Sequence, residues 1–121
     1  MSAVEVETPT WQWKEIVDLF ETKPGLLAKN VSFWRTLGYL PPGRGSGSRH
    51  KFTPHDLAVI DFLLRNNIHG PGNLVFGPSV LNLIVSQIRK VPPGTPGVEV
   101  DISLALLFIR LEWPHPSAGR T

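Results

Sequence analysis

The chain of 121 residues contains no cysteine, which excludes a disulfide framework and any zinc–thiolate centre. It has no long hydrophobic run either. The densest apolar stretch, Ile102 to Leu111, is broken by Ser103 and Arg110. It is far shorter than the roughly 20 residues a bilayer-spanning helix requires. The first ten residues, MSAVEVETPT, are acidic and lack the basic-then-apolar order of a secretory signal. These absences lead to the expectation of a cytoplasmic protein with no membrane contact. There is no internal repeat. The most telling absence is of negative charge: no Asp or Glu occurs between Lys23 and His55.

What is present fits one compact domain. With 41% hydrophobic and 18% charged residues, the chain is neither a disordered tail nor a membrane protein. Its length allows one modest core and not two. The formal net charge is only +2, but it is unevenly spread. Residues 1–21 carry one Lys against five acids, whereas residues 22–95 carry nine basic residues against two acids. The acid-free window holds Lys23, Lys29, Arg35, Arg44, Arg49 and Lys51, and His50 and His55 add charge at lower pH. A basic face of this kind attracts phosphates and carries the salt-sensitive part of nucleic-acid affinity.

Apolar periodicity predicts four helices. The first runs from about Trp11 to Phe20 with Thr10 as N-cap, and its tryptophans Trp11 and Trp13 are expected in the core rather than stacked on bases. The second runs from about Leu26 to Leu37, with Leu27, Val31 and Trp34 on its inner face. Lys29, Ser32, Arg35 and Thr36 lie on the opposite side. Gly38 stops it and Pro41-Pro42 forbids its continuation. Thr53-Pro54-His55-Asp56 opens the third, which ends at Asn66-Asn67. The fourth runs from about Ser79 to Lys90, burying Leu81, Ile84, Val85 and Ile88, with Val80 and Leu83 widening that face. Arg89 and Lys90 sit where a helix C-terminus favours cations. Val98 to Ile102 alternates like a strand, but the near-continuous apolar run from Ile102 to Glu112 favours a fifth, buried helix capped by Asp101.

Between the second and third helices lies Gly43-Arg44-Gly45-Ser46-Gly47-Ser48, followed by Arg49-His50-Lys51. The segment lacks the Gly-Lys-Ser/Thr of a P-loop and does not pass from an apolar strand into a helix, so a nucleotide site is not expected. It suits the tip of a basic β-wing. Two helices joined by the short Lys23-Pro24-Gly25 break, with a wing behind them, form a helix-turn-helix whose second helix offers its polar face to the DNA major groove. No nucleophile–base pair, no paired carboxylates and no histidine spacing suited to a metal is present, since His50, His55, His69 and His115 make no helical ligand pair. The expectation is therefore a binding protein, not an enzyme, with no cofactor, no metal and no catalytic residue.

The run Val31-Ser32-Phe33-Trp34-Arg35-Thr36-Leu37-Gly38-Tyr39-Leu40-Pro41-Pro42, followed by Arg49-His50-Lys51-Phe52-Thr53 and Asp56-Leu57, resembles the MerR-type winged helix-turn-helix. The resemblance covers roughly Trp13 to Ile68, about half the chain. It implies a mainly α fold, a winged helix-turn-helix with additional C-terminal helices, in a regulator or excisionase-like protein. Ser32, Phe33 and Trp34 stand where the family often has Arg-Tyr-Tyr or Arg-Tyr-Trp, and Arg35 offers a cation one position further on. The family's dimerising coiled coil and effector domain have no counterpart in these residues, so inducer sensing is not implied.

The expected organisation is a flexible acidic N-terminus (1–10), a DNA-binding domain (11–68), a C-terminal helical extension (69–113) and a disordered tail (114–121). The expected partner is double-stranded DNA. Lys29, Ser32, Arg35 and Thr36 face the groove, and Arg44, Arg49, His50 and Lys51 hold the backbone or minor groove. Ile102, Leu106 and Ile109 supply a homodimer interface or a docking face for a protein partner. Two further functions fit the same residues: an excisionase-like protein that bends DNA for a mobile element, and a degraded winged helix that binds protein instead of DNA.

Overall fold

The structure, a computed structural model, describes residues 9–20, 24–42, 51–103 and 105–115. Four helices precede a small antiparallel hairpin: α1 (Trp13–Leu19), α2 (Pro24–Leu37), α3 (Pro54–Arg65), α4 (Pro78–Lys90), β1 (Gly97–Asp101) and β2 (Leu106–Arg110). The fold is mainly α, with a two-stranded sheet.

The helix ends follow local chemistry. α1 begins two residues later than its periodicity suggests, because Trp11 is extended and forms a two-way backbone bridge with Phe52 (N···O 2.9 and 2.7 Å). The backbone N–H of Gln12, rather than Thr10, stands at the cap, donating to Glu15 Oε1 at 2.9 Å. α2 ends in a Schellman motif: Gly38 takes φ +86°, its N–H donates to Arg35 O, and Tyr39 N–H donates to Trp34 O at 2.9 Å. α3 opens with a reciprocal capping box. Thr53 Oγ1 accepts from Asp56 N, Asp56 Oδ2 accepts from Thr53 N at 3.0 Å, and Pro54 occupies the first turn. It closes as α2 does, with Asn67 at φ +54° and Ile68 N–H donating to Leu63 O.

One core joins all the elements. α2 contributes Leu27, Val31 and Trp34, α3 contributes Leu57, Ile60 and Leu63, and α4 contributes its face of Leu81, Ile84, Val85 and Ile88. Val80 is half-buried at the margin, and Leu83 points outward, 47% exposed. Long-range polar contacts pin α2 to the α3–α4 connection: Trp34 Nε1 donates to Ile68 O (3.1 Å) and Tyr39 Oη to Pro71 O (2.8 Å). Tyr39 is buried enough to push its phenol pKa above the ordinary value.

The C-terminal region corrects the sequence expectation. The described residues between 102 and 112 form no helix, and the described part of the extension after residue 69 is one helix and a hairpin rather than a set of helices. Val98 pairs with Ile109 and Val100 with Leu107, so inward and outward residues alternate. The Asp101 carboxylate accepts from Ser103 N (2.9 Å), the bond that would cap a helix. Ser103 takes φ +80° instead, and the bond closes a turn. The proposed face of Ile102, Leu106 and Ile109 assumed helical spacing. At the strand period of two, Ile109 enters the core (6% exposed) while Leu106 faces out (68%). They share no surface.

Candidate nucleic-acid interface

α2 is amphipathic because its inner residues recur at helical spacing, and that fixes what it presents outward. Lys29, Ser32, Phe33 and Thr36 are exposed on the side opposite Leu27, Val31 and Trp34. Thr36 Oγ1 donates to Ser32 O (3.1 Å), so its hydroxyl hydrogen is engaged within the helix. Its oxygen lone pairs remain for a partner. Phe33, 43% exposed, puts an aromatic ring in the middle of this polar surface.

Arg35 lies at the flank of that surface rather than within it. Half-buried, it turns its guanidinium toward Phe52, with Cζ 5.5 Å from the ring centroid. Its Nε is shut away from water and has no hydrogen-bond partner. Arg35 and Phe52 belong to a cleft of about 440 Å³ between the start of α1, one side of α2 and the Trp11–Phe52 bridge. Trp13, Ala28 and Val31 make its other apolar walls, and Gln12, Lys14 and Ser32 its polar ones. Trp13 sits 6.3 Å from Phe52, ring centroid to centroid, and Trp11 is fully buried.

Lys51 is exposed beside this cleft, next to the bridge that anchors Phe52. Arg44, Arg49 and His50 lie outside the described residues. Other cations of the basic middle segment are committed elsewhere. Arg89 Nη2 binds Asp56 Oδ1 at 2.9 Å and reaches Tyr39 O at 3.4 Å, which ties α4 to the start of α3 and the end of α2. Arg65 bridges Asp61 (2.8 Å) and the carbonyl of Arg110 (2.7 Å). Asp61 nevertheless keeps a pKa above the usual carboxylate value, because burial outweighs the pull of Arg65. His55 is half-buried: its Nε2 lies 2.7 Å from Val91 O, and its ring packs edge-on against Trp113.

Sequence reasoning missed the cleft. Its aromatic walls were legible only as candidate core residues, because the pairing of Trp11 with Phe52 that brings Trp13 and Arg35 together is long-range. Among the described residues no cluster of His, Asp and Glu could hold a metal, and no helix is long and apolar enough to cross a membrane. No protein-family model, no curated protein and no solved structure matches this chain.

Proposed function

We propose that this protein is a sequence-specific double-stranded DNA-binding protein, a small transcription regulator of the winged helix-turn-helix kind. The carrying observation is the outward face of α2, where Lys29, Ser32 and Thr36 are exposed together within a stretch of sequence that contains no acid. A cation with short hydroxyl side chains on one helix face suits a major groove, where Ser and Thr bond bases or phosphates and Lys neutralises the backbone. The Trp11–Phe52 bridge adds support, since it places extended chain directly before α3, where the second arm of a wing would run. On sequence grounds Arg44, Arg49 and His50, with exposed Lys51, are the wing's phosphate contacts. Arg35 is a groove contact only if it leaves Phe52.

An excisionase-like role would use the same surface and differ in its sites, which would be tandem repeats rather than promoters. A protein-binding role is the second reading. It is favoured by Phe33 on α2 and by Leu106 and Phe108, 68% and 63% exposed on the outer face of the hairpin. Selection of duplexes from a random pool, followed by titration at several salt concentrations, tests the leading reading. Enrichment of one sequence with affinity that falls as salt rises supports it. A stoichiometric protein partner with no duplex bound at low salt supports the second.

A further inference from the structure

We infer that the cleft between α1, α2 and Phe52 is a binding site for a small aromatic carboxylic acid. Its volume, about 440 Å³, falls in the range of roughly 300–1,000 Å³ typical of small-molecule pockets. Its walls divide into two chemistries. Trp13, Phe52, Val31 and Ala28 form an apolar side suited to a flat ring, which gains edge-to-face or offset contacts with the two aromatics. Arg35 and Lys14 supply positive charge, and among the described residues no acid lines the cleft to neutralise them.

Arg35 points to the ligand's charge. It lines the cleft, and among the described residues no carboxylate forms an ion pair with it. The Phe52 ring meets the guanidinium's charge but offers its donors no lone pair. A guanidinium presents a fork of N–H donors that matches a carboxylate's two oxygens. Inorganic phosphate fits less well, since it is strongly hydrated and would leave the apolar walls uncovered. The ligand is therefore an acid with a ring attached, not a bare anion.

The site stands apart from the DNA-binding reading, because it is assayed without nucleic acid. A consequence does rest on that reading. Arg35 flanks the outward face of α2, so an acid in the cleft and a DNA groove would compete for one guanidinium, and each would weaken the other equally.

The test titrates the full chain with 1-naphthoate by calorimetry. The expected result is saturable 1:1 binding. Naphthalene-1-methanol, which keeps the ring and drops the charge, binds about tenfold more weakly or worse, as loss of a charge-assisted hydrogen bond requires. Arg35→Gln narrows the difference between the two ligands. Ala28→Trp, at an exposed position on α2, fills the cleft and abolishes binding of both while the helical circular-dichroism signal and melting stay intact. Four outcomes overturn the inference: no saturable binding to the unmodified protein, undiminished binding to Ala28→Trp, an unchanged preference for the acid in Arg35→Gln, or displacement of 1-naphthoate by equimolar inorganic phosphate.

Discussion

Asp56→Ala removes a side chain that closes two structures at once. Its Oδ2 accepts the Thr53 N–H of the α3 capping box, and its Oδ1 binds Arg89 from α4. Loss of this reciprocal hydrogen bond, with the Thr53 cap itself kept, costs about 1 kcal/mol. The ion pair lies between two regimes, since the Asp56 side chain is 3% exposed and that of Arg89 is 32%. Exposed pairs contribute up to about 1 kcal/mol, and breaking a fully buried pair costs about 3–5 kcal/mol. Arg89 can regain water when its partner goes, so a figure of about 2 kcal/mol is reasonable for this pair. The sum is about 3 kcal/mol, a drop in melting temperature of roughly 12–24 °C for a domain near this size. Urea unfolding followed by circular dichroism measures it, with the m-value unchanged. Arg89→Ala and the double variant complete a cycle, in which a coupling of about 1–2 kcal/mol is expected. Additive single effects, or an Asp56→Ala cost below about 1 kcal/mol, would refute the clamp.

Three further outcomes follow from local geometry. Gly38→Ala destabilises by about 1–2 kcal/mol in the same unfolding assay, because φ +86° is strained for any residue with a Cβ even though open space surrounds the position. A neutral result would contradict the Schellman ending of α2. Asp61→Asn separates burial from the Arg65 pair by its pH dependence. Burial raises the folded pKa of Asp61, so the folded state holds this proton more tightly than the unfolded chain, and the Asp61 contribution declines as pH rises through that pKa. The variant should equal or exceed the parent at pH 7, and the parent should gain on it toward about pH 4. The opposite trend would mean that the ion pair dominates. Leu106→Ser, on the outer face of the hairpin, should change stability by less than about 0.5 kcal/mol while reducing any concentration-dependent association; a large unfolding penalty would contradict its exposure.

The helices were legible because each carries its own signals. The Thr53–Asp56 box and Pro54 fixed the start of α3, Asn66-Asn67 its end, and the Leu81, Ile84, Val85 and Ile88 spacing the buried face of α4. The hairpin was not legible, since Asp101 can cap a helix or close a turn with the same hydrogen bond, and the run after Ser103 is apolar enough to hide its period of two. Arg89 read as a charge complementing a helix dipole. Its reach to Asp56 depends on how α3 and α4 pack, which no local pattern encodes. The same limit applies to Arg35. Periodicity put it on the polar side of α2, but only the packing of α1 and the Trp11–Phe52 bridge decides that it turns to Phe52.

The most direct measurement of the central claim is the salt dependence of duplex binding by the full chain and by Lys29→Ala, using the best duplex from a random-pool selection and fluorescence anisotropy. If α2 lies in the groove, the unmodified protein loses affinity steeply with salt, and Lys29→Ala lowers the slope of log K against log salt by about one. A selection that enriches no duplex, or an affinity indifferent to both salt and Lys29, would contradict a DNA-binding role for this helix.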